Sequence, residues 1–98
     1  MDIHHYLNGV CFVWDNQKDL SNLSKHGIDF KTACTAFFDP FFITQNASDN
    51  YEYRMAIIGY DEHAQLLFVV HLETQHEQIR LISARVASKQ ERLRYECT

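Results

Sequence analysis

The chain has 98 residues and a formal net charge of −4, nine Lys+Arg against thirteen Asp+Glu. With 46% apolar, 13% aromatic and 22% charged residues it is not an intrinsically disordered chain, and its length suits a single domain, 1–98, with one modest core. Taken as one number, the acidic charge argues against a nucleic-acid partner, because polyanion binders carry a basic excess.

Residues 1–9 form a possible N-terminal arm or hairpin strand, closed by the Asn8-Gly9 turn signal. Val10 to Trp14 is short, β-branched and aromatic, a strand pattern. Asp15 or Asn16 can cap a helix that runs to His26, with Leu20 and Leu23 on its apolar side. Gly27 then stands where a left-handed residue ends a helix, and Ile28 can supply the apolar contact that follows it. Asp29 is the cap expected for a second helix. Phe30, Ala33, Cys34, Phe37 and Phe38 follow one stripe at i, i+3, i+4, i+7 and i+8, and Asp39-Pro40 stops it. Phe41 to Thr44 suits a short strand and 45–52 a polar loop. Tyr53–Tyr60, Gln65–Thr74 and Gln78–Arg85 alternate as strands, and their short connections favour antiparallel hairpins. Ser88 and Glu91 form a capping-box pattern opening a last helix through Tyr95. The order implies an α+β layer with the helices packed on one face of a curved sheet.

The charge is unevenly placed. Residues 1–78 carry four cations against eleven acids, −7, while residues 79–98 carry five cations against two acids, +3. The basic end holds Arg80, Arg85, Lys89, Arg92 and Arg94, and arginine favours bidentate phosphate contacts. Strict alternation along Gln78–Arg85 puts Arg80 and Arg85 on opposite faces of the strand. His71, inside an apolar strand, suits either acid–base work or a hydrogen-bonded core role. Trp14 can stack a base or sit in the core. The three cysteines, Cys11, Cys34 and Cys97, form no CxxC pair, and no metal-ligand spacing or nucleotide-binding glycine motif is present. The longest apolar run, Leu66 to Val70, is far below the ~20 residues of a membrane span. The first residues lack a signal-peptide pattern, so the expected compartment is the cytoplasm.

Trp14-Asp15, Lys18, Asn22, Lys25-His26-Gly27, Phe30, Ala33, Phe37 and Asp39-Pro40 recur at specific spacings, followed by Arg54, Ile58-Gly59, Val69-Val70, RLISAR from Arg80 to Arg85, Ala87, Glu91 and Tyr95-Glu96. This pattern, over about residues 12–96, resembles the BrnT toxin family of bacterial type II toxin–antitoxin systems. The resemblance implies a RelE-like α+β fold: two N-terminal helices packed on a curved antiparallel sheet of about four to five strands, with a C-terminal helix. It implies a ribonuclease that cleaves RNA without a metal or cofactor, through attack of the 2′-OH, and slows translation. It implies a BrnA-type ribbon-helix-helix antitoxin, a two-toxin, two-antitoxin complex, and operator DNA bound indirectly through that antitoxin. Arg54, Arg80 and Arg85 are the candidate phosphate-stabilising cations, with Tyr95 and His71 as further catalytic candidates. Lys25, His26 and Lys89 are the candidate RNA contacts, although Lys25 and His26 also suit the dipole at a helix C-terminus. Two positions depart from the family pattern: Val13 stands where an acidic residue is common, and Ala64-Gln65 where Gly-Arg is common. The rival expectation is a catalytically weak or inactive homologue that serves as an antitoxin-binding co-repressor.

Overall fold

The computed structural model describes residues 1–50 and 52–97; Tyr51, in the predicted polar loop, and Thr98 lie outside them. The elements are β1 (Asp2–Leu7), β2 (Val10–Asp15), α1 (Asn16–His26), α2 (Phe30–Thr35), a 3-10 turn (Ala36–Phe38), β3 (Ile43–Asn46), β4 (Met55–Tyr60), β5 (Leu66–Glu73), β6 (Ile79–Val86) and α3 (Lys89–Glu96). The fold is α+β, as expected, but the sheet has six strands in the order β1-β2-β6-β5-β4-β3. The possible arm is a full strand: β1 pairs with β2 along its whole length. Asn8 and Gly9 both take positive φ, 50° and 82°, so the turn is of the twisted hairpin kind that Asn-Gly favours. All neighbouring strands run antiparallel except β2 and β6, which are parallel and paired only at Phe12–Ile79 and Val13–Arg80.

Local chemistry sets the helix ends. Asp15 accepts from the Lys18 N–H at 3.2 Å to open α1. Gly27, at φ 73°, closes it with its N–H on the Leu23 carbonyl. Asp29 accepts from Thr32 N–H at 2.7 Å to open α2. Asp19 accepts from Phe30 N–H at 2.9 Å and ties the two helices together. The Phe30–Ala33–Cys34 stripe is buried as its spacing predicts, although the last turn tightens to 3-10 before Asp39-Pro40.

The layering differs from the one-face expectation. α1 and α2 cover one face, closing a core of Phe12, Trp14, Phe30, Leu67, Val69 and Leu81. α3 lies on the other face, where Tyr95 and Ala87 pack against Ala56, Ile58, Leu66 and Phe68. Each fully buried large side chain contributes about 1.5–3 kcal/mol, so both layers matter to stability. The apolar side predicted for α1 is also corrected. Leu20 and Leu23 are 53% and 46% exposed, and the α1 residue that faces the sheet is the polar Asn22.

Candidate functional site

Asn22 explains how β6 can leave β2 after two rungs. Its Nδ2 donates to the Ile28 and Ala84 carbonyls at 2.8 Å each, and its Oδ1 accepts from Ala84 N–H at 3.0 Å. The side-chain amide thus does for Ala84 what a neighbouring strand would have done, satisfying a buried donor and acceptor that would otherwise be costly. α1 is pinned to β6 at that point. Between them opens a cavity of about 210 Å³, bordered by Lys18, Ser21, Lys25, His26 and the Ile82–Ser83 stretch of β6.

The same strand carries the two arginines. Val70 pairs with Ser83 but His71 pairs with Leu81, so Ile82 is an extra residue, a β-bulge. One extra residue reverses the alternation. Leu81 and Ala84 therefore both point into the helix-side core, and Arg80 and Arg85 share the opposite face with Ser83. This corrects the expectation that the two arginines lie on opposite faces. Arg80 sits beside Val13 and Leu72, and Arg85 beside Phe68, with its guanidinium 4.4 Å above the Phe68 ring. Arg80, Ser83 and Arg85 are all half-buried on this face. His4 occupies the same cross-sheet row as Val13 and Arg80.

Each of the three candidate arginines is paired with a carboxylate of the chain. Arg80 binds Asp2 in a two-pronged contact at 2.6 and 3.4 Å. The guanidinium holds the Asp2 carboxyl below its usual range. Val13, next to Arg80, is buried and apolar, and the carboxylate on Arg80 comes from Asp2, two strands away in the sheet. Arg85 binds both oxygens of Glu91 at 2.8 and 2.9 Å. Burial pushes the Glu91 carboxyl up, but Arg85 and the Ser88 N–H outweigh it, so it titrates below its ordinary value. Glu91 also completes the capping box of α3 with Ser88. Arg54 lies before β4 and contacts Glu52 at 2.7 Å and Asp49 at 3.9 Å.

Two other candidates, His71 and Tyr95, sit away from the Arg80–Arg85 face or are held within the fold. His71 lies on the helix-side face, 8% exposed, edge-on to Phe37 with ring centroids 4.8 Å apart. Burial pulls its pKa down, so neutrality is favoured there. Tyr95 donates its hydroxyl to Asp39 at 2.6 Å and packs edge-on to Tyr60, anchoring α3 over β4. Burial and the Asp39 carboxylate push the Tyr95 phenol up to about 12. Lys89 is exposed in the first turn of α3. What β6 does bring together is Arg80, Ser83 and Arg85 on one face, with Lys25, His26 and Lys18 at its open edge. Lys18 and Ser83 were not singled out for function by their sequence context. The bulge that places Ser83 has no glycine to announce it.

A larger cavity, about 460 Å³, is bordered by Phe38, Asp39, Tyr60, Asp61 and Glu62. Its acids suit no polyanion. Among the described residues, no cluster of three or more His, Cys, Asp and Glu side chains is arranged to hold a metal ion. No helix among them is long and apolar enough to cross a membrane.

Residues 14–91 match the family model of the ribonuclease toxin, BrnT, of type II toxin–antitoxin systems. The chain belongs to the BrnT family. Among solved structures, the chain is similar to a 1.1 Å crystal structure of the BrnT ribonuclease toxin of Brucella abortus: 24% identity, 78% of this chain and 94% of that one covered, TM-score 0.62. The likeness shows a shared fold. No curated protein matches. The family segment includes α1, Asn22 and β6, whereas β1, and with it Asp2 and His4, lies before the first matched residue.

Proposed function

We propose that the chain is an RNA-cleaving toxin whose site is the sheet face along β6. Its membership of a ribonuclease toxin family sets the reaction class, and the observation that carries the assignment is the Ile82 bulge, which gathers Arg80, Ser83 and Arg85 on one partly exposed face. RNA brings its own nucleophile, the 2′-OH. Cleavage then needs cations beside the phosphate that becomes pentacoordinate, a base near the hydroxyl and an acid at the leaving 5′-oxygen. Preorganised cations aimed at developing charge lower the barrier most. Arg80 and Arg85 take that role, with no metal or cofactor. Each must exchange its carboxylate partner for phosphate. Both ion pairs are partly solvent-exposed, with side-chain exposures of 30% and 44% for Arg80–Asp2 and of 39% and 13% for Arg85–Glu91. The Arg80–Asp2 pair in particular is screened by water and contributes little to stability, so it is a small obstacle to that exchange. Proton transfer falls to His26 at the open edge of β6 and to His4 in the Arg80 row, not to His71 or Tyr95. Arg54 and Lys89 serve as outlying backbone contacts.

In this reading the toxin acts in the cytoplasm, cleaves RNA and slows translation. A BrnA-type ribbon-helix-helix antitoxin neutralises it in a two-toxin, two-antitoxin complex, which reaches operator DNA through the antitoxin. The test is RNA cleavage by purified protein in EDTA, comparing wild type with Arg80→Ala and Arg85→Ala. Cleavage in EDTA that both substitutions reduce supports the reading; cleavage abolished by EDTA, or untouched by both substitutions, overturns it. The carboxylates on every candidate arginine favour one rival, a weakly active homologue retained as an antitoxin-binding co-repressor. Tight antitoxin binding without any RNA cleavage would decide for that rival.

A further inference from the structure

The arginines are paired internally; the lysines at the open edge of β6 are not. Among the described residues neither Lys18 nor Lys25 takes part in an ion pair. Both border the 210 Å³ cavity, as does His26, and no acid borders it. The contrast with the surrounding charge is sharp. Residues 1–78 hold only four cations against eleven acids, and two of those four face this one cavity. Ser21 and Ser83 border the same cavity, and the Asn22 amide fixes its floor by binding both Ile28, just past the end of α1, and Ala84. The volume is below the roughly 300–1,000 Å³ of pockets that take drug-sized ligands. It suits a phosphate group rather than a nucleoside.

We infer that this cavity is a phosphate subsite, distinct from the arginine row, that holds a backbone phosphodiester of the RNA next to the one being cleaved. The inference rests on the RNA-cleaving reading above and adds to it Lys18, Ser21 and Ser83 as binding residues. Ser83 stands at the junction: it belongs to the arginine face by its pairing with Val70 and also borders the cavity. One strand of RNA crossing β6 at the bulge can therefore place one phosphate between Arg80 and Arg85 and the neighbouring one over the edge, against Lys18 and Lys25. A strand held at two phosphates is held in register, which is the positioning contribution that orientation supplies to catalysis.

The test is a titration of the full chain with inorganic phosphate, followed by amide chemical shifts in two-dimensional nitrogen–proton NMR. Saturable shifts centred on Ser21, His26, Ile82 and Ser83 are expected. They should weaken at least tenfold in affinity in Lys18→Gln/Lys25→Gln and persist in Arg80→Gln. A second measurement uses a single-stranded DNA oligonucleotide, which lacks the attacking hydroxyl. The slope of log affinity against log salt should fall by about 0.7 in the double lysine variant, the loss of one phosphate contact. Absent shifts, shifts that survive the double lysine substitution, or an unchanged salt slope would overturn the subsite. Failure of the two ideas is separable. Phosphate bound in the cavity by a protein that never cleaves RNA leaves the subsite standing and removes the ribonuclease reading. Cleavage in EDTA without phosphate binding in the cavity does the reverse.

Discussion

Replacing Asn22 tests how the site is built. The residue is 6% exposed and makes three hydrogen bonds, to Ile28 and to both backbone groups of Ala84. Asn22→Ala leaves one N–H and two carbonyls without their partner. A buried group left unsatisfied costs about 1–3 kcal/mol, and water entering from the adjacent cavity can satisfy part of the set. The expected loss is about 2–5 kcal/mol, a large share of the ~5–15 kcal/mol available to a domain of this size. Asn22→Asp keeps an acceptor for Ala84 N–H but loses both donors and adds a charge, so it should be at least as damaging. The assay is urea unfolding followed by circular dichroism, with the midpoint read at an unchanged slope. Because Ala84 lies between Ser83 and Arg85, the surviving folded protein should also bind phosphate and RNA more weakly. An Asn22→Ala protein within about 1 kcal/mol of wild type would refute the claim that this amide stands in for a missing strand.

Other outcomes follow from the same geometry. A Cβ on Gly59 would meet the Ala36 carbonyl at 2.8 Å and Phe42 Cβ at 3.0 Å, so Gly59→Ala should destabilise by about 1–3 kcal/mol in the same unfolding assay. Ala64 sits at φ 60°, where glycine is at ease, so Ala64→Gly should raise stability by about 0.5–1 kcal/mol; a loss would refute the strain. Burial pushes the Asp39 carboxyl up, but the Tyr60 N–H, Tyr95 hydroxyl and Phe41 N–H outweigh it, so it titrates below the ordinary value. Its stabilising contribution is therefore present above the unfolded pKa near 3.8 and is lost as pH falls through the lower folded value. Tyr95 behaves in the opposite sense: its contribution is complete below the unfolded pKa near 10 and is lost as pH rises through about 12. Tyr95→Phe should remove the alkaline limb of the stability profile while leaving RNA cleavage per folded molecule near wild type; a cleavage loss with unchanged stability would return Tyr95 to the catalytic list.

The helix boundaries were legible because each is set by a local contact. Asp15, Gly27, Asp29 and the Ser88–Glu91 box act within a few residues of themselves. The Phe30, Ala33 and Cys34 part of the expected stripe was legible too, whereas Phe38, in the 3-10 turn beyond α2, is exposed. What escaped depends on distant chain. Leu20 and Leu23 suggest the inner side of α1, but β6 leaves β2 after two rungs and its unpaired backbone at Ala84 favours a polar side chain there, and Asn22 takes the place. The bulge at Ile82 is set by the register of β5 against β6, and no glycine marks it, so strict alternation misplaced Arg85 relative to Arg80. The carboxylate on Arg80 comes from residue 2, across 78 positions of sequence, while the position beside it is Val13. The net charge of −4 concealed the arrangement in a comparable way. The acids dominate the body and line the larger cavity, while four of the nine cations, Lys18, Lys25, Arg80 and Arg85, lie along β6.

The most direct test of the central claim is the product of RNA cleavage in EDTA. Purified protein should cut single-stranded RNA without added metal and leave a 2′,3′-cyclic phosphate or 3′-phosphate end, the mark of 2′-OH attack. The Arg80→Ala/Arg85→Ala protein, folded by circular dichroism, should leave the RNA intact. A 5′-phosphate product, cleavage only when a divalent cation is restored, or full activity in the double arginine variant would contradict it.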